Sequence, residues 1–371
     1  MIEIGGYTLT TEFATAGGGQ CRWAFAKRGG ADYFIKEFLS PTYPLPDSPG
    51  SPATKAKKLA RCEEFESHQR GIMKSLDGLA KHGGNLVAAK EFFRFGARYY
   101  KVTEKIDISS LSVGEVHTVT PKQQLVIAGT VAHSLQILHR LDLVHGDIKP
   151  PNVLLKETGK SLFAAKLIDF DSAYFSQKPP AVADMVGDVV YYAPEVHQYV
   201  QGEGDAENLR CSADIYSLGV LFAEYFTGTR PSFVDSETCA VGALNGATCT
   251  TGLETEWPAM QLLVESMMQL DLTRRPQIGE VIASLKSIKV RGSAAPSPAE
   301  PSSGPRLRGL GLKPGPGTTS SAGSVDEGAG TGKPRLRGSL VAKSTEELPA
   351  DDSSKGSRLS GSLLRKKGTE T

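Results

Sequence analysis

Val144-His145-Gly146-Asp147-Ile148-Lys149-Pro150-Pro151-Asn152-Val153-Leu154-Leu155 is a short polar loop between apolar flanks. It carries a carboxylate at Asp147, an ammonium at Lys149 and an amide at Asn152. The three groups together suit phosphoryl transfer. A carboxylate can orient a hydroxyl and accept its proton, a lysine can neutralise charge on the moving group, and an amide oxygen can hold a metal ion. Fourteen residues after Asn152, the run Lys166-Leu167-Ile168-Asp169-Phe170-Asp171 reads as a strand ending in acid.

The chain has 371 residues and a formal net charge of +1. That length allows one or two domains with a sizeable core, and the charge balance gives no global field directed at nucleic acid. Cys21, Cys62, Cys211, Cys239 and Cys249 are scattered and form no C-x-x-C pair. Free thiols in a reducing compartment are expected rather than a disulfide framework or a zinc site. No charged-then-apolar leader opens the sequence, and no apolar run reaches the ~20 residues of a membrane span. A soluble cytoplasmic protein is the expectation. Composition changes near residue 291. From Arg291 to Thr371 the chain is Gly/Ser/Pro/Thr-rich, has no aromatic residue, and holds 13 Lys/Arg against 8 Asp/Glu. A segment without aromatics cannot offset its ordering entropy by burial. Residues 291–371 are therefore expected to be a disordered basic tail on an acidic folded domain.

Before that boundary the chain alternates short strands and then helices. Strands are expected at Tyr7–Thr10, Ala16–Ala26 and Tyr33–Phe38, with the Gly17-Gly18-Gly19 turn among them. A glycine-rich hairpin lets backbone N–H groups approach phosphate. Lys36 follows Gly19 by 17 residues on the third strand, although a lone strand lysine is usually a solvated one. A Pro/Ser loop at 40–54 precedes a helix from about Lys55 to Leu76, with Leu59, Cys62, Phe65, Ile72 and Leu76 as its apolar stripe. Strands follow over Asn85–Phe95 and Tyr99–Ile106. Helices are expected at Pro121–Leu141, Ser212–Glu224, Trp257–Leu270 and Ile278–Ile288. Asp214, an acid in an apolar helix, has the setting of a side chain that ties down backbone N–H groups. His139 has no evident role.

The motifs and their order resemble the eukaryotic-like (Hanks-type) serine/threonine protein kinases. Asp147-x-Lys149-x-x-Asn152 matches their catalytic loop, Asp169-Phe170-Asp171 their metal-binding segment, and Ala193-Pro194-Glu195 their A-P-E. Asp214-x-Tyr216-Ser217-x-Gly219 and Arg275-Pro276 match the central helix and the arginine that pairs with the A-P-E glutamate. The resemblance implies an α+β bilobal fold over residues 7–290, with a β-rich N-lobe at about 7–104 and a helical C-lobe at about 107–290. It implies an ATP- and Mg²⁺-dependent kinase acting on protein hydroxyls. In that scheme Asp147 is the base, Lys149 steadies the transferred group, and Asn152 and Asp169 hold Mg²⁺. Lys36, fixed by Glu66 with Glu63 in reserve, grips phosphates under the Gly17–Gly19 loop. Thr103 backs the nucleotide pocket, and Glu104 to Ile106 form the hinge. For each single glutamate a solvated face is the simpler reading.

Several positions depart from the pattern. Arg22 stands at the third loop glycine and Ala24 at the valine that follows. Gly146 replaces the arginine of His-Arg-Asp, making the kinase non-RD. Asp171 replaces the glycine of Asp-Phe-Gly, and Asp188 the threonine of Gly-Thr-x-x-Tyr. The missing arginine argues against a switch by activation-loop phosphorylation. Compact soluble kinases with such irregular motifs resemble bacterial members. Two alternatives stay open: an aminoglycoside/choline-type phosphotransferase, which shares His-Gly-Asp, and a pseudokinase scaffold displaying the tail. The tail repeats Arg-Leu-x-Gly-x-Leu from Arg306, Arg335 and Arg358, spaced 29 and 23 residues apart. The repeat reads as a docking motif presented for avidity or as autophosphorylation sites at Ser339, Ser360 and Ser362. Membrane-surface or RNA binding is weaker, because acids are interspersed.

Overall fold

The computed structural model describes residues 2–16, 21–79, 85–106, 111–158 and 163–289. The Gly17–Gly19 loop and the tail from 291, with Ser339, Ser360 and Ser362, lie outside the described residues. The N-terminal part is a seven-stranded sheet in the order β1 (Glu3–Ile4), β2 (Tyr7–Leu9), β4 (Cys21–Arg28), β5 (Ala31–Phe38), β7 (Arg98–Glu104), β6 (Glu91–Phe95), with β3 (Ala14–Ala16) paired to β4. All neighbours are antiparallel. Strand alternation sorts the side chains. Ala24, Ala26, Ile35, Tyr100 and Val102 pack with Ile4, Tyr7 and Leu9 on one face. Lys36 and Phe38, one residue out of phase with Ile35, belong to the other face.

That second face is covered by α1 (Pro52–Leu76). Phe38, Phe92 and Tyr99 of the sheet form a cluster with Cys62, and Phe65 and Met73 of the helix pack against it. The helix starts three residues before the expected Lys55. Ser51 caps it by accepting from the Thr54 N–H at 3.2 Å, and Pro52 occupies the first turn, where its missing N–H costs nothing. Asn85–Lys90, expected as strand, is not. Its backbone is used elsewhere: Val87 N–H donates to Leu167 O at 2.9 Å, and Leu167 N–H to Asn85 O at 2.7 Å.

The C-terminal part is helical: α2 (Pro121–His139), α3 (Pro194–Gln201), α4 (Cys211–Thr227), α5 (Cys239–Leu244), α6 (Pro258–Met267) and α7 (Ile278–Ser287). The antiparallel pairs β8 (Leu143–Val144) with β11 (Tyr174–Phe175) and β9 (Val153–Glu157) with β10 (Phe163–Leu167) carry the polar loops. A further small antiparallel pair, β12 (Ser232–Phe233) with β13 (Cys249–Thr250), brackets α5. Helix α4 is apolar nearly all round because it is buried nearly all round, from Ala213 to Phe226. Gly219 lets α6 lie close: a Cβ there would sit 2.9 Å from Met268 Cγ and 3.1 Å from Met267 Cβ. No helix among the described residues is long and apolar enough to cross a membrane.

One buried ion pair ties three helices together. Arg275, just before α7, donates to both oxygens of Glu195 in α3, at 2.6 and 2.8 Å. It also donates to Ser212 O at the start of α4 and to Gln269 O. The Arg275 guanidinium is fully buried. Removing one partner of such a pair leaves the other charged and unsolvated. Arg275→Met is therefore expected to lower the unfolding free energy by about 3–5 kcal/mol in urea titration. Arg274→Ala, at an exposed arginine, should cost about 0.5 kcal/mol or less. Equal effects would show that the pair does not organise the helices.

Candidate active site

The polar loop leaves β8 at His145 and is fixed from below by α4. Asp214, in the first turn of that helix, accepts from the His145 N–H at 2.8 Å and the Gly146 N–H at 3.0 Å. A carboxylate is favoured there by the helix dipole as well. His139 Nε2 lies 3.0 Å from Asp214 Oδ2, which gives that histidine a role. The His145 ring then sets the next residue. Its Nδ1 accepts from the Asp147 N–H at 3.2 Å, so Nε2 carries the proton and donates to Ile168 O at 3.0 Å. Phe170 packs edge-on to the same ring.

Asp147 is held on every side. Asn152 Nδ2 donates to its Oδ2 at 2.7 Å and to its backbone O at 2.8 Å. Lys149 Nζ lies 3.0 Å from Oδ2, and the Asp188 N–H donates to Oδ1 at 3.0 Å. Asp188 Oδ2 is 3.8 Å from the same Lys149. A carboxylate fixed in this way beside a lysine can accept a proton from a hydroxyl without first reorganising. Gly146 has φ 76°, and a Cβ there would come within 2.5 Å of Ser172 O. The backbone of Ser172 occupies the space a side chain at 146 would need.

The second half of the site joins sheet to loop. Asp169, in left-handed backbone at φ 63°, ends the run after β10. Lys36 Nζ donates to both its oxygens, at 2.9 and 2.8 Å. Lys36 also lies 2.6 Å from Asp171 Oδ2, and Lys101 pairs with Asp171 Oδ1. Lys101 stands directly opposite Lys36 across β5 and β7. Burial pulls the Lys36 ammonium toward neutrality, but the carboxylates of Asp171 and Asp169 outweigh it and hold the group charged. Burial likewise opposes ionisation of Asp171, and Lys101 and Lys36 overcome it, so its pKa falls below the usual carboxylate range. Asp169 moves up instead, through burial and the neighbouring Asp171.

Glu66 does not pair with Lys36. Its Oε1 accepts from the Tyr99 hydroxyl at 2.8 Å, and Arg70 lies 3.8 Å from Oε2. The phase of α1 explains this. Cys62, Gln69, Ile72 and Leu76 are its buried residues, so Glu66 falls on the flank nearest Tyr99, and Glu63 is exposed. Thr103 shares the Lys36 face, opposite Phe34. Glu104 is exposed, 4.0 Å from Lys90, and Ile106 is half-buried. Arg22 is a strand residue rather than a loop residue. It pairs with the buried Glu37 at 2.7 Å, on the face away from Lys36. Ala24, expected at the valine position over the nucleotide, is buried on that outer face too. The side chains on the Lys36 face are Trp23, directly opposite Lys36, with Phe25 and Phe34. Trp23 and Phe34 stack with ring centroids 5.5 Å apart, a flat apolar surface fit for a base.

Among the described residues no group of three or more His, Cys, Asp or Glu forms a ready metal cage. Mg²⁺ binds through one or two protein oxygens and completes its shell with water and substrate phosphates. Asn152 commits its NH₂ to Asp147, which turns its amide oxygen to the other side as a hard donor. Asp169 supplies the carboxylate. The donor set fits the ion. The residue that sequence reasoning missed is Lys101. Its signal was a lysine inside the apolar strand Tyr99-Tyr100-Lys101-Val102.

This chain is similar to known kinases over part of its length. It is 27% identical over 186 residues to the meiosis-specific serine/threonine-protein kinase mek1 of Schizosaccharomyces pombe, covering 48% of this chain and 40% of that protein. It is 29% identical over 212 residues to PknA of Corynebacterium glutamicum, 54% of this chain and 43% of the relative. Against PknB of Mycobacterium leprae the identity is 32% over 143 residues, 37% and 21% of the two chains. The chain thus spans less than half the length of these relatives. A family profile described as "Protein kinase domain" matches residues 54–285, starting within α1 and so leaving Lys36 and the strands before it outside the match. With more than half of its residues so matched, the chain belongs to the protein kinase domain family.

Proposed function

We propose that this chain is a serine/threonine protein kinase that transfers the γ-phosphoryl group of ATP to protein hydroxyls with Mg²⁺. The observation that carries the proposal is the fixation of Asp147 by Asn152, Lys149 and the Asp188 N–H, with Lys36 and Asp169 completing the site. In this scheme Asp147 orients the acceptor hydroxyl and takes its proton. Lys149, shared with Asp188, stabilises charge on the moving phosphoryl group. Lys36 holds the α- and β-phosphates, and the Gly17–Gly19 loop covers them. Trp23 and Phe34 face the base, with Thr103 behind it and the backbone of Glu104–Ile106 along its edge. Asn152 and Asp169 would hold Mg²⁺, which when bound neutralises phosphate charge. Catalysis of this kind depends on positioning and charge. The protein-kinase reading is favoured over small-molecule transfer by the family match and by the Glu195–Arg275 pair that braces Ala193-Pro194-Glu195.

The same reading includes activity without activation-loop phosphorylation, in a non-RD kinase. Two features support it. Ser172 O lies where a side chain at 146 would be, so the position has no arginine and no room for one without a shift. Fixed acids also contact the basic groups around the segment: Asp184 lies 2.5 Å from Arg61 of α1, and Asp188 is near Lys149. The Arg61–Asp184 pair is exposed and contributes little to stability, but it forms without any phosphate on the segment. Five free cysteines support a reducing, cytoplasmic setting, and the bacterial relatives support a bacterial member of the Hanks-type group. We take the catalytic domain as residues 7–290 and the rest as a tail that docks partners or is itself phosphorylated.

Asp147→Asn should lower kcat for transfer to a protein acceptor by about 10²–10⁴-fold, and Asp169→Asn should abolish transfer. Retention of full activity in either variant would remove the mechanism. Protein stripped of phosphate by a phosphatase should show the same initial rate as untreated protein. A lag that disappears as the activation segment becomes phosphorylated would contradict phosphorylation-independent activity.

A further inference from the structure

Lys36 and Lys101 face each other across antiparallel strands on the side of the sheet that meets the catalytic loops. Directly opposed residues of this kind have Cβ atoms about 4.5–5.5 Å apart, and like charges so placed repel. The environment gives little relief by solvation. Side-chain exposure is 13% for Lys36, 9% for Lys101 and 13% for Asp171. Asp171 resolves the conflict by lying between the two ammoniums, Oδ1 on Lys101 and Oδ2 2.6 Å from Lys36. Asp169 supplies the second negative charge, so that two lysines meet two carboxylates.

The place of Asp171 is set first by its own turn. It sits in the short turn Phe170–Ser172, closed by Ala173 N–H to Phe170 O, with Phe170 buried against His145. The helix touches this turn through His68 Nε2, 2.9 Å from Ala173 O. Glu66, the helix glutamate expected to pair with Lys36, is engaged with Tyr99. Lys36 therefore has two carboxylate partners, both from the loop after β10. One of them, Asp169, is also the candidate cation ligand, and its oxygens must be shared when a cation enters. Asp171 has no such second duty.

We propose that Asp171, neutralised on its far side by Lys101, is the positioning residue for Lys36, in the role the family pattern gives to a helix glutamate. Resting on the kinase reading above, this makes the hold on Lys36 a property of the loop after Asp169. The orientation of α1 then has no direct part in it. Lys101 keeps the extra carboxylate from burdening the phosphate site with net negative charge. Deleting Asp171 alone strands Lys101 in the interior, so a paired variant separates positioning from stability.

The test measures affinity for a fluorescent ATP analogue, with EDTA and with Mg²⁺, beside kcat, the KM for ATP and Tm. In Lys101→Met/Asp171→Asn both members of the ion pair become neutral, and Tm is expected to stay near that of the wild type. Its affinity for the analogue should nevertheless fall about tenfold or more in both conditions, and KM should rise, as befits loss of one charge-assisted contact. Asp171→Gly, which installs the residue usual at this position, should also weaken binding. Glu66→Gln should weaken it at least about tenfold less than Lys101→Met/Asp171→Asn does. Wild-type affinity in the folded double variant, or a larger loss from Glu66→Gln, would overturn the proposal while leaving the kinase reading intact. A wild-type protein that neither binds the analogue nor transfers phosphate would remove both.

Discussion

Two ammonium groups side by side in a protein interior are tolerated only if carboxylates reach them. Lys36 and Lys101 impose that condition here, and the turn after β10 satisfies it with Asp169 and Asp171. The cluster joins the sheet to the catalytic loops, because the lysines belong to β5 and β7 and the acids to a segment more than sixty residues further along the chain. Neither half is comfortable without the other. The lysines would carry uncompensated buried charge, and the acids would repel at two-residue spacing. Buried charge clusters are weak sources of stability, but they are strict about geometry. A site proposed to hold phosphate needs that strictness.

Below this cluster, the geometry is passed down a chain of backbone contacts. Asp214 holds the N–H groups of His145 and Gly146, and the His145 ring holds the Asp147 N–H and Ile168 O. Asp147 and the backbone leading to Asp169, which carry the two acids of the proposed chemistry, are thus tied to one imidazole. Glu195 and Arg275 then fix the helices on which Asp214 depends. Polar groups buried to this degree need partners, and the partners that hold the loop to the helices, Asp214 and the Glu195–Arg275 pair, come from far along the sequence.

Much of this was legible before the structure. Helices α2 and α4 follow from apolar spacing, Asp214 carries the role that an acid in an apolar helix predicts, and Arg275 pairs with Glu195 as the kinase resemblance implies. Asp147, Lys149 and Asn152 meet as their spacing demands. Other features could not be read from local pattern. Asn85–Lys90 looks like strand, yet its hydrogen bonds go to Leu167 in the other part of the molecule. Glu66 looked like the partner of Lys36 because it borders the apolar stripe, but the helix phase is set by Phe38, Phe92 and Tyr99 packing on Cys62, which turns it to Tyr99. Arg22 and Ala24 were aligned to a loop pattern, whereas strand β4 had already begun. Lys101 finds Asp171 across 70 residues, and only the register of β5 with β7 reveals that it stands beside Lys36.

The central claim is phosphoryl transfer onto protein serine and threonine by the Asp147 loop. The most direct measurement incubates the full chain with γ-labelled ATP and Mg²⁺ in the presence of equal amounts of a generic protein acceptor and an aminoglycoside, and then maps the label by mass spectrometry. The account predicts phosphoserine and phosphothreonine on protein, the chain's own included, and none on the aminoglycoside. Label found on the small molecule alone, or released only as inorganic phosphate, would contradict it.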